Sequence, residues 1–329
     1  MFAEHLDKKI CTSEVDLVPN RNGYGDGLKN AGEINEAVVA LSADLVGSTR
    51  TDTFANAFPE RFVQVGVAEQ SMVSVASGMA AMGKIPFCAS YAMFSPGRSW
   101  EQVRTTIAYN NANVKIIGAH AGVSVGPDGA THQAIEDIAI MRVVPNMVVI
   151  APADVHQAKK AVLAAAEYVG PVYIRIAREK TAVVTTEDSP FEIGKAYTYL
   201  YKDNAHKKTV GIIVTGTLVH AALEAGKYLN ENGIGVSVLC MPTIKPLDTA
   251  ALDTFGTEHD VIVTLEEHQV AGGLGGAIAE YYGETNPKHV VRMGIQDVFG
   301  QSGEPDELIA YYGLDTKAVI SKIESLTDL

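Results

Sequence analysis

Three cysteines in 329 residues, Cys11, Cys88 and Cys240, are too few and too scattered for a disulfide framework or a zinc site. Their odd number points the same way, and a reducing cytoplasm is the expected location. Basic residues are scarce as well: 26 against 39 acidic ones leave a formal net charge of −13. That balance argues against broad binding of nucleic acid or of an anionic membrane, although a few local cations suffice for one phosphate. No apolar run is long enough to cross a bilayer, and Met1–Ile10 lacks the apolar core of a secretory signal. Internal repeats and low-complexity tracts are absent too. What is present is a globular composition, 47% apolar and 20% charged, in a chain long enough for two domains with buried cores.

Short apolar runs alternate with longer amphipathic ones, the pattern of βαβ units. The runs predict strands over Val38–Ala43, Phe62–Val67, Ile85–Ala89, Val114–Ala119, Met147–Ala151 and Pro171–Ala177. Helices are expected over Gly23–Ala31, Ala68–Met82, Ser99–Ala112 and Asp154–Tyr168. The strands are Val- and Ile-rich with little polar alternation, so both sheet faces should be covered, and ligands should bind at the strands' carboxyl ends. The polar, proline-containing Thr185–Phe191 reads as a linker. A second α/β pattern follows: strands over Val210–Thr215, Val236–Cys240 and Val261–Leu265, and helices over Leu218–Asn230 and Thr316–Leu326. The glycine-rich turn Gly272–Gly276 leads into the apolar stretch Ala277–Tyr282. The fold class is therefore α/β with two doubly wound domains. The expected division is an extension over 1–20, a first domain over 21–187 and a second over 188–329.

Three segments stand out chemically. In Phe62–Met72 a buried strand ends and a helix begins, with Glu69 in its first turn. The helix dipole alone favours a glutamate there. The helix that follows is small and apolar on most faces, so Glu69 should sit at the mouth of a buried crevice, a setting suited to proton exchange near neutrality. Tyr91 and Phe94 follow the strand Ile85–Ala89, as core packing or as a ring platform. Gly118–Gln133 is a glycine-rich connection carrying His120, Asp128 and His132, and a βα connection this long is uncommon without a function.

Taken together, Ala40–Leu45, Phe62–Met72 and Asp128–Gln133 resemble the pyrimidine-binding domain of transketolases in order and spacing. Thr264–His268 with Gly272–Gly275 resembles that family's C-terminal domain, so the likeness covers nearly the whole chain. The resemblance implies thiamine diphosphate as cofactor, with Glu69 hydrogen-bonding N1′ of its aminopyrimidine and Phe94 and Tyr91 lining the ring pocket. Many transketolases carry another aromatic three residues after the position of Phe94; Gly97 stands here, beside Arg98, which is a candidate to fill that wall. The resemblance further places His132 at the reacting centre and Asp128 at a hydroxyl of the aldose. His120, Ser48 and Arg178 fall at the sugar phosphate, with Arg175 as a rival cation, and Asp44 falls at the cofactor pocket. Fork geometry suits arginine to phosphate. His268 and the Gly272–Gly276 turn are expected to serve packing.

The family's Gly-Asp-Gly signature for magnesium and diphosphate has no proper counterpart. Gly25–Gly27 spells it, but before the first strand, and Asn56 further on lacks the matching context. No metal ligands are therefore expected in this chain. The simplest account is a split transketolase: a separate N-terminal subunit brings the diphosphate domain and most of the Mg2+ site, covers the Glu69 face, and pairs with this chain as an α2β2 heterotetramer acting on sugar phosphates. The rivals are the β subunit of a 2-oxo-acid dehydrogenase E1, a deoxyxylulose-phosphate-synthase-like fragment, and a catalytically silent regulatory subunit. The His120, Asp128 and His132 loop with Arg178 favours sugar phosphates over short oxo acids. Ile174–Arg178 lacks the Arg-Tyr-Pro-Arg run usual in the synthase.

Overall fold

The computed structural model describes residues 1–202 and 208–327. Its larger sheet has seven strands in the order Thr243–Lys245, Val148–Ile150, Val172–Arg175, Lys115–Ala119, Ile85–Tyr91, Val38–Ser42 and Phe62–Gln64. All run parallel except Thr243–Lys245, which lies antiparallel on Val148–Ile150. Every residue of Val38–Ser42, Lys115–Ala119 and Val172–Arg175 is buried, as strands covered on both faces require. A second sheet orders His289–Ile295, Val261–Gln269, Thr209–Val214, Gly235–Cys240 and Tyr197–Leu200, with only the last antiparallel. The fold is thus α/β with two mainly parallel sheets flanked by helices.

The two sheets are not independent. Thr243–Lys245 follows a strand of the second sheet in sequence but extends the first. One apolar cluster joins Leu41, Met72 and Ile116 to Leu239, Met241, Phe255 and Leu274. The expected linker is pinned as well. Asp154 accepts hydrogen bonds from Val184 N at 2.8 Å and from the Thr185 hydroxyl at 2.7 Å, and Lys160 Nζ donates to Thr186 O at 2.8 Å.

Several expected boundaries move for identifiable reasons. The strand begun at Phe62 ends at Gln64, because Gly66 at φ 70° turns the chain towards the helix Glu69–Ala81. The helix expected over Ser99–Ala112 is a single α-turn, Trp100–Gln102, followed by a π-helical turn, Val103–Ala108. There the hydroxyls of Thr105 and Thr106 donate back to Glu101 O and Gln102 O at 2.9 and 2.7 Å, competing with the regular backbone ladder. Gly25–Gly27 lies inside the helix Asn20–Ile34, which packs on Val155–Glu167 so closely that a Cβ at Gly23 would stand 1.9 Å from Val155 O. The glycines of that helix therefore serve close helix packing, which accounts for them without a ligand. No helix among the described residues is long and apolar enough to cross a membrane.

Candidate active site

Five neighbouring parallel strands deliver polar and aromatic side chains to the same edge of the larger sheet, beyond their carboxyl ends. Phe62–Gln64 leads to Glu69, Val38–Ser42 to Asp44 and Ser48, and Ile85–Tyr91 to Tyr91 and Phe94. Lys115–Ala119 leads to His120, and Val172–Arg175 to Arg178.

Glu69 opens the helix Glu69–Ala81 and is only 1% exposed. Its Oε2 accepts a hydrogen bond from Arg98 Nη1 at 2.9 Å, while no hydrogen bond reaches Oε1 among the described residues. The Arg98 guanidinium also stands 5.3 Å from the centre of the Phe94 ring. Arg98 thus lies against both Glu69 and the Phe94 ring. Gly97 could not supply a third ring, since a Cβ there would lie 2.0 Å from Met93 O.

From Phe94 the rings continue inward. The His132 imidazole meets Phe94 edge-on at 5.4 Å and Tyr91 at 6.4 Å between centroids. Tyr91 stacks on His120 with 3.9 Å between ring centres and 21° between planes. His120 is 1% exposed, holds a left-handed backbone at φ 53°, and has no partner for Nδ1 among the described residues. Burial, and after it the charges of Arg21 and Arg178, push its pKa down to about 3, so the ring is neutral at physiological pH. Strain combined with an uncommitted buried polar atom makes His120 a candidate binding position.

Beyond His120 the site becomes cationic. Arg178 donates to Val125 O at 2.8 Å and lies 3.6 Å from the Asp128 carboxylate. Arg175, its rival in sequence, is spent. It is buried, with Nε 3.0 Å from Asp137 Oδ2 and Nη2 donating to Glu267 O at 2.8 Å. The sequence reading missed Arg21, in the first turn of the helix Asn20–Ile34. Its Nη1 donates to Ser48 O at 2.9 Å, and its Nε is buried without a partner among the described residues. Burial together with Arg50 and Arg178 lowers its pKa, which places these guanidiniums in one neighbourhood. No spacing rule singles out an arginine at a helix start; its role emerges only when the chain folds Asn20–Ile34 beside Ser48.

Of the expected residues, Glu69, Phe94, His132, Tyr91 and His120 form one chain of contacts, closed between Glu69 and Phe94 by Arg98. Arg178 with Asp128, and Arg21 with Ser48, form separate pairs whose guanidiniums act on His120 through their charge. Asp44 joins none of these. It is exposed at φ 63°, and only its amide is tied down, to Gln64 Oε1 at 2.8 Å. His268 and the glycine-rich turn lie elsewhere: Glu266 accepts from Leu274 N and Gly275 N at 2.7 and 2.8 Å, so the anion held by that turn is the chain's own carboxylate. No group of three or more His, Cys, Asp or Glu among the described residues is placed to hold a metal ion. The arrangement suits a flat heteroaromatic ring beside an acid at one end and a tetrahedral oxyanion at the other.

The family model for the transketolase pyrimidine binding domain matches residues 17–183, and that for the transketolase C-terminal domain matches residues 201–319. The chain is 48% identical over 306 residues to a Methanocaldococcus jannaschii protein named for a transketolase C-terminal section, covering 92% of this chain and 94% of that one. It is 37% identical over 308 residues to a 6-deoxy-6-sulfo-D-fructose transketolase subunit of a Clostridium species, with 94% of each covered. A solved structure described as a split gene transketolase, inactive beta4 tetramer, matches with a TM-score of 0.84 at 42% identity, covering 94% of this chain and 97% of that one.

Proposed function

Because this chain belongs to the transketolase family, we propose that it is the C-terminal subunit of a split transketolase, moving a two-carbon ketol unit from a ketose phosphate to an aldose phosphate. The observation that carries the reading is the run of contacts from Glu69 through Arg98, Phe94, His132 and Tyr91 to His120, a ring on which the Arg178 and Arg21 charges act.

Thiamine diphosphate, when bound, supplies the electron sink for breaking and making a carbon–carbon bond at a ketose carbonyl. Glu69, with Oε1 uncommitted, is the group to hold a proton at N1′ of the pyrimidine. Phe94 and Tyr91 present ring faces to the pyrimidine and exclude water. Asp44, exposed at the neighbouring strand end, completes the pocket from outside. His132 stands at the reacting end of the sugar and Asp128 at a hydroxyl of the aldose. His120, Ser48, Arg21 and Arg178 hold the terminal phosphate, with the neutral His120 ring serving as donor or acceptor rather than as a charge.

The working division is an extension over 1–20, a pyrimidine-binding domain over 21–187 and a C-terminal domain over 188–329. An N-terminal partner subunit carries the diphosphate site and Mg2+, in an α2β2 heterotetramer in the cytoplasm. The relatives named for a C-terminal section and for a split gene support a partner of that kind. The relative named for 6-deoxy-6-sulfo-D-fructose makes a sulfonate the rival terminal group, since the same guanidiniums fit either tetrahedral oxyanion.

The test mixes the purified chain with a candidate N-terminal subunit, thiamine diphosphate, Mg2+, xylulose 5-phosphate and ribose 5-phosphate. Ketol transfer is expected from the mixture and from neither chain alone. Faster turnover of a sulfonated donor would reassign the substrate, and pyruvate consumption would favour the E1 or synthase readings. Turnover by this chain without a partner would overturn the split.

A further inference from the structure

Resting on that reading, we propose that Glu267 is a positioning residue: from the second sheet, its carboxylate clamps the substrate loop that carries His120, Asp128 and His132. Glu267 lies in the strand Val261–Gln269 and is 3% exposed. Its Oε1 accepts the Ser124 N–H at 2.6 Å, and its Oε2 accepts the Thr217 hydroxyl at 3.3 Å. A buried carboxylate aimed at one backbone amide of another element is a strong, directional anchor.

The loop is shaped around this carboxylate. Gly122 holds φ +92°, and a Cβ there would lie 2.3 Å from Glu267 Oε1, so a side chain would expel the anchor. Gly122, Gly126 and Gly129 take positive φ at no steric cost but leave the chain flexible, and His120 holds positive φ as a non-glycine residue, so contacts outside the loop are needed to fix it. The clamp is reinforced at both ends of the loop. Arg175 Nη2 bridges Glu267 O at 2.8 Å and Ala134 O at 3.3 Å, and Gly122 N donates to Ala134 O at 2.8 Å. Gln133 Nε2 ties Val123 O at 3.0 Å to Gln301 O at 2.9 Å, again joining the loop to the second half of the chain. The C-terminal half thus sets the geometry of the loop from outside it.

The test uses the complex reconstituted with its partner. Glu267→Ala is expected to lower kcat/KM for the sugar phosphates about tenfold or more, as for loss of a charged hydrogen-bond partner. Half-saturation by thiamine diphosphate should change less than kcat/KM, because Glu69 lies on another element, although Tyr91 and Phe94 touch the loop through His120 and His132. Glu267→Gln should recover most of the loss, since its amide oxygen still accepts the Ser124 N–H. Independently of activity, hydrogen exchange in this chain should quicken at residues 121–129 in Glu267→Ala, but not in Glu267→Gln or across Lys115–Ala119. Should the alanine variant not fold, Glu267→Asp, which withdraws the charge by one methylene, is expected to give a milder form of the same pattern. Unchanged exchange at 121–129, or a uniform rise throughout the chain that Gln does not rescue, would overturn the clamp. A wild-type complex without ketol transfer would instead defeat the functional reading, and the exchange result would still decide the clamp.

Discussion

Glu69 and Glu266 are both buried carboxylates at the N-terminal end of a helix, 1% and 0% exposed, yet they meet opposite surroundings. Glu266 spends both oxygens on the backbone amides of Leu274 and Gly275; burial raises its pKa, and His268 and these amides only partly counter the rise. Glu69 has one partner, the guanidinium of Arg98, whose side chain is 52% exposed, and it keeps an oxygen free. A buried acid satisfied by its own backbone is architecture. A buried acid held by one movable side chain at a sheet edge lined with rings is available for chemistry.

The sharpest way to break this contrast is to make the same isosteric change at both acids. Glu69→Gln in the reconstituted complex should cut ketol transfer by on the order of 10²–10⁴-fold, the usual scale for a lost proton-transfer group, with an unchanged melting curve. Glu266→Gln should do the reverse. It trades an acceptor for an amide donor facing the backbone N–H groups, costing about 1–3 kcal/mol of stability, while turnover per folded molecule is retained. Activity lost at Glu266 without destabilisation would erase the distinction. Assay rates and denaturant midpoints for the two variants decide it.

Arg178 and Arg175 repeat the comparison among cations. Arg175 is locked to Asp137 and Glu267 O in the interior, whereas Arg178 is partly exposed beside Asp128. Arg178→Lys keeps the charge but loses the fork, so KM for the phosphorylated sugar should rise by the equivalent of about 1.5–3 kcal/mol at unchanged stability. Arg175→Lys should lose stability instead. Steady-state kinetics with phosphorylated and unphosphorylated sugars separate the two: the Arg178 effect should vanish for the unphosphorylated substrate.

The Val- and Ile-rich runs made the parallel strands readable, because burial on both faces leaves no room for polar alternation. Glu69, Phe94 and the histidine loop were readable because each follows such a run directly. Thr243–Lys245 was not: three residues carry too little pattern, and its place is set by a partner strand nearly a hundred positions earlier. Arg21 and Glu267 were hidden for the same reason, since each owes its role to one distant backbone atom, Ser48 O or Ser124 N. The glycine-rich turn Gly272–Gly276 read as packing, but that Glu266 fills it is a tertiary fact no spacing encodes.

The smallest expected effect concerns His120, a polar group buried at the site rather than in the core of the second sheet. Its pKa is about 3 in the folded chain against 6.5 for an ordinary histidine, so between these values the unfolded chain binds the extra proton. Its contribution to stability is therefore full above pH 6.5 and is lost as pH falls towards 3. By pH 5 that loss amounts to about 1–2 kcal/mol. Arg21, Arg178 and His132 keep the ring neutral by repulsion, and burial does the larger share. His120→Gln should consequently flatten the decline in urea midpoint between pH 7.5 and pH 5 relative to wild type, whatever its cost at neutral pH. His5, His220 and His259 are also shifted downward, but they titrate in both proteins and cancel from the difference. Parallel declines in the two proteins would mean that His120 is protonated as readily folded as unfolded. The neutral ring assigned to the phosphate end of the site would then have to be given up.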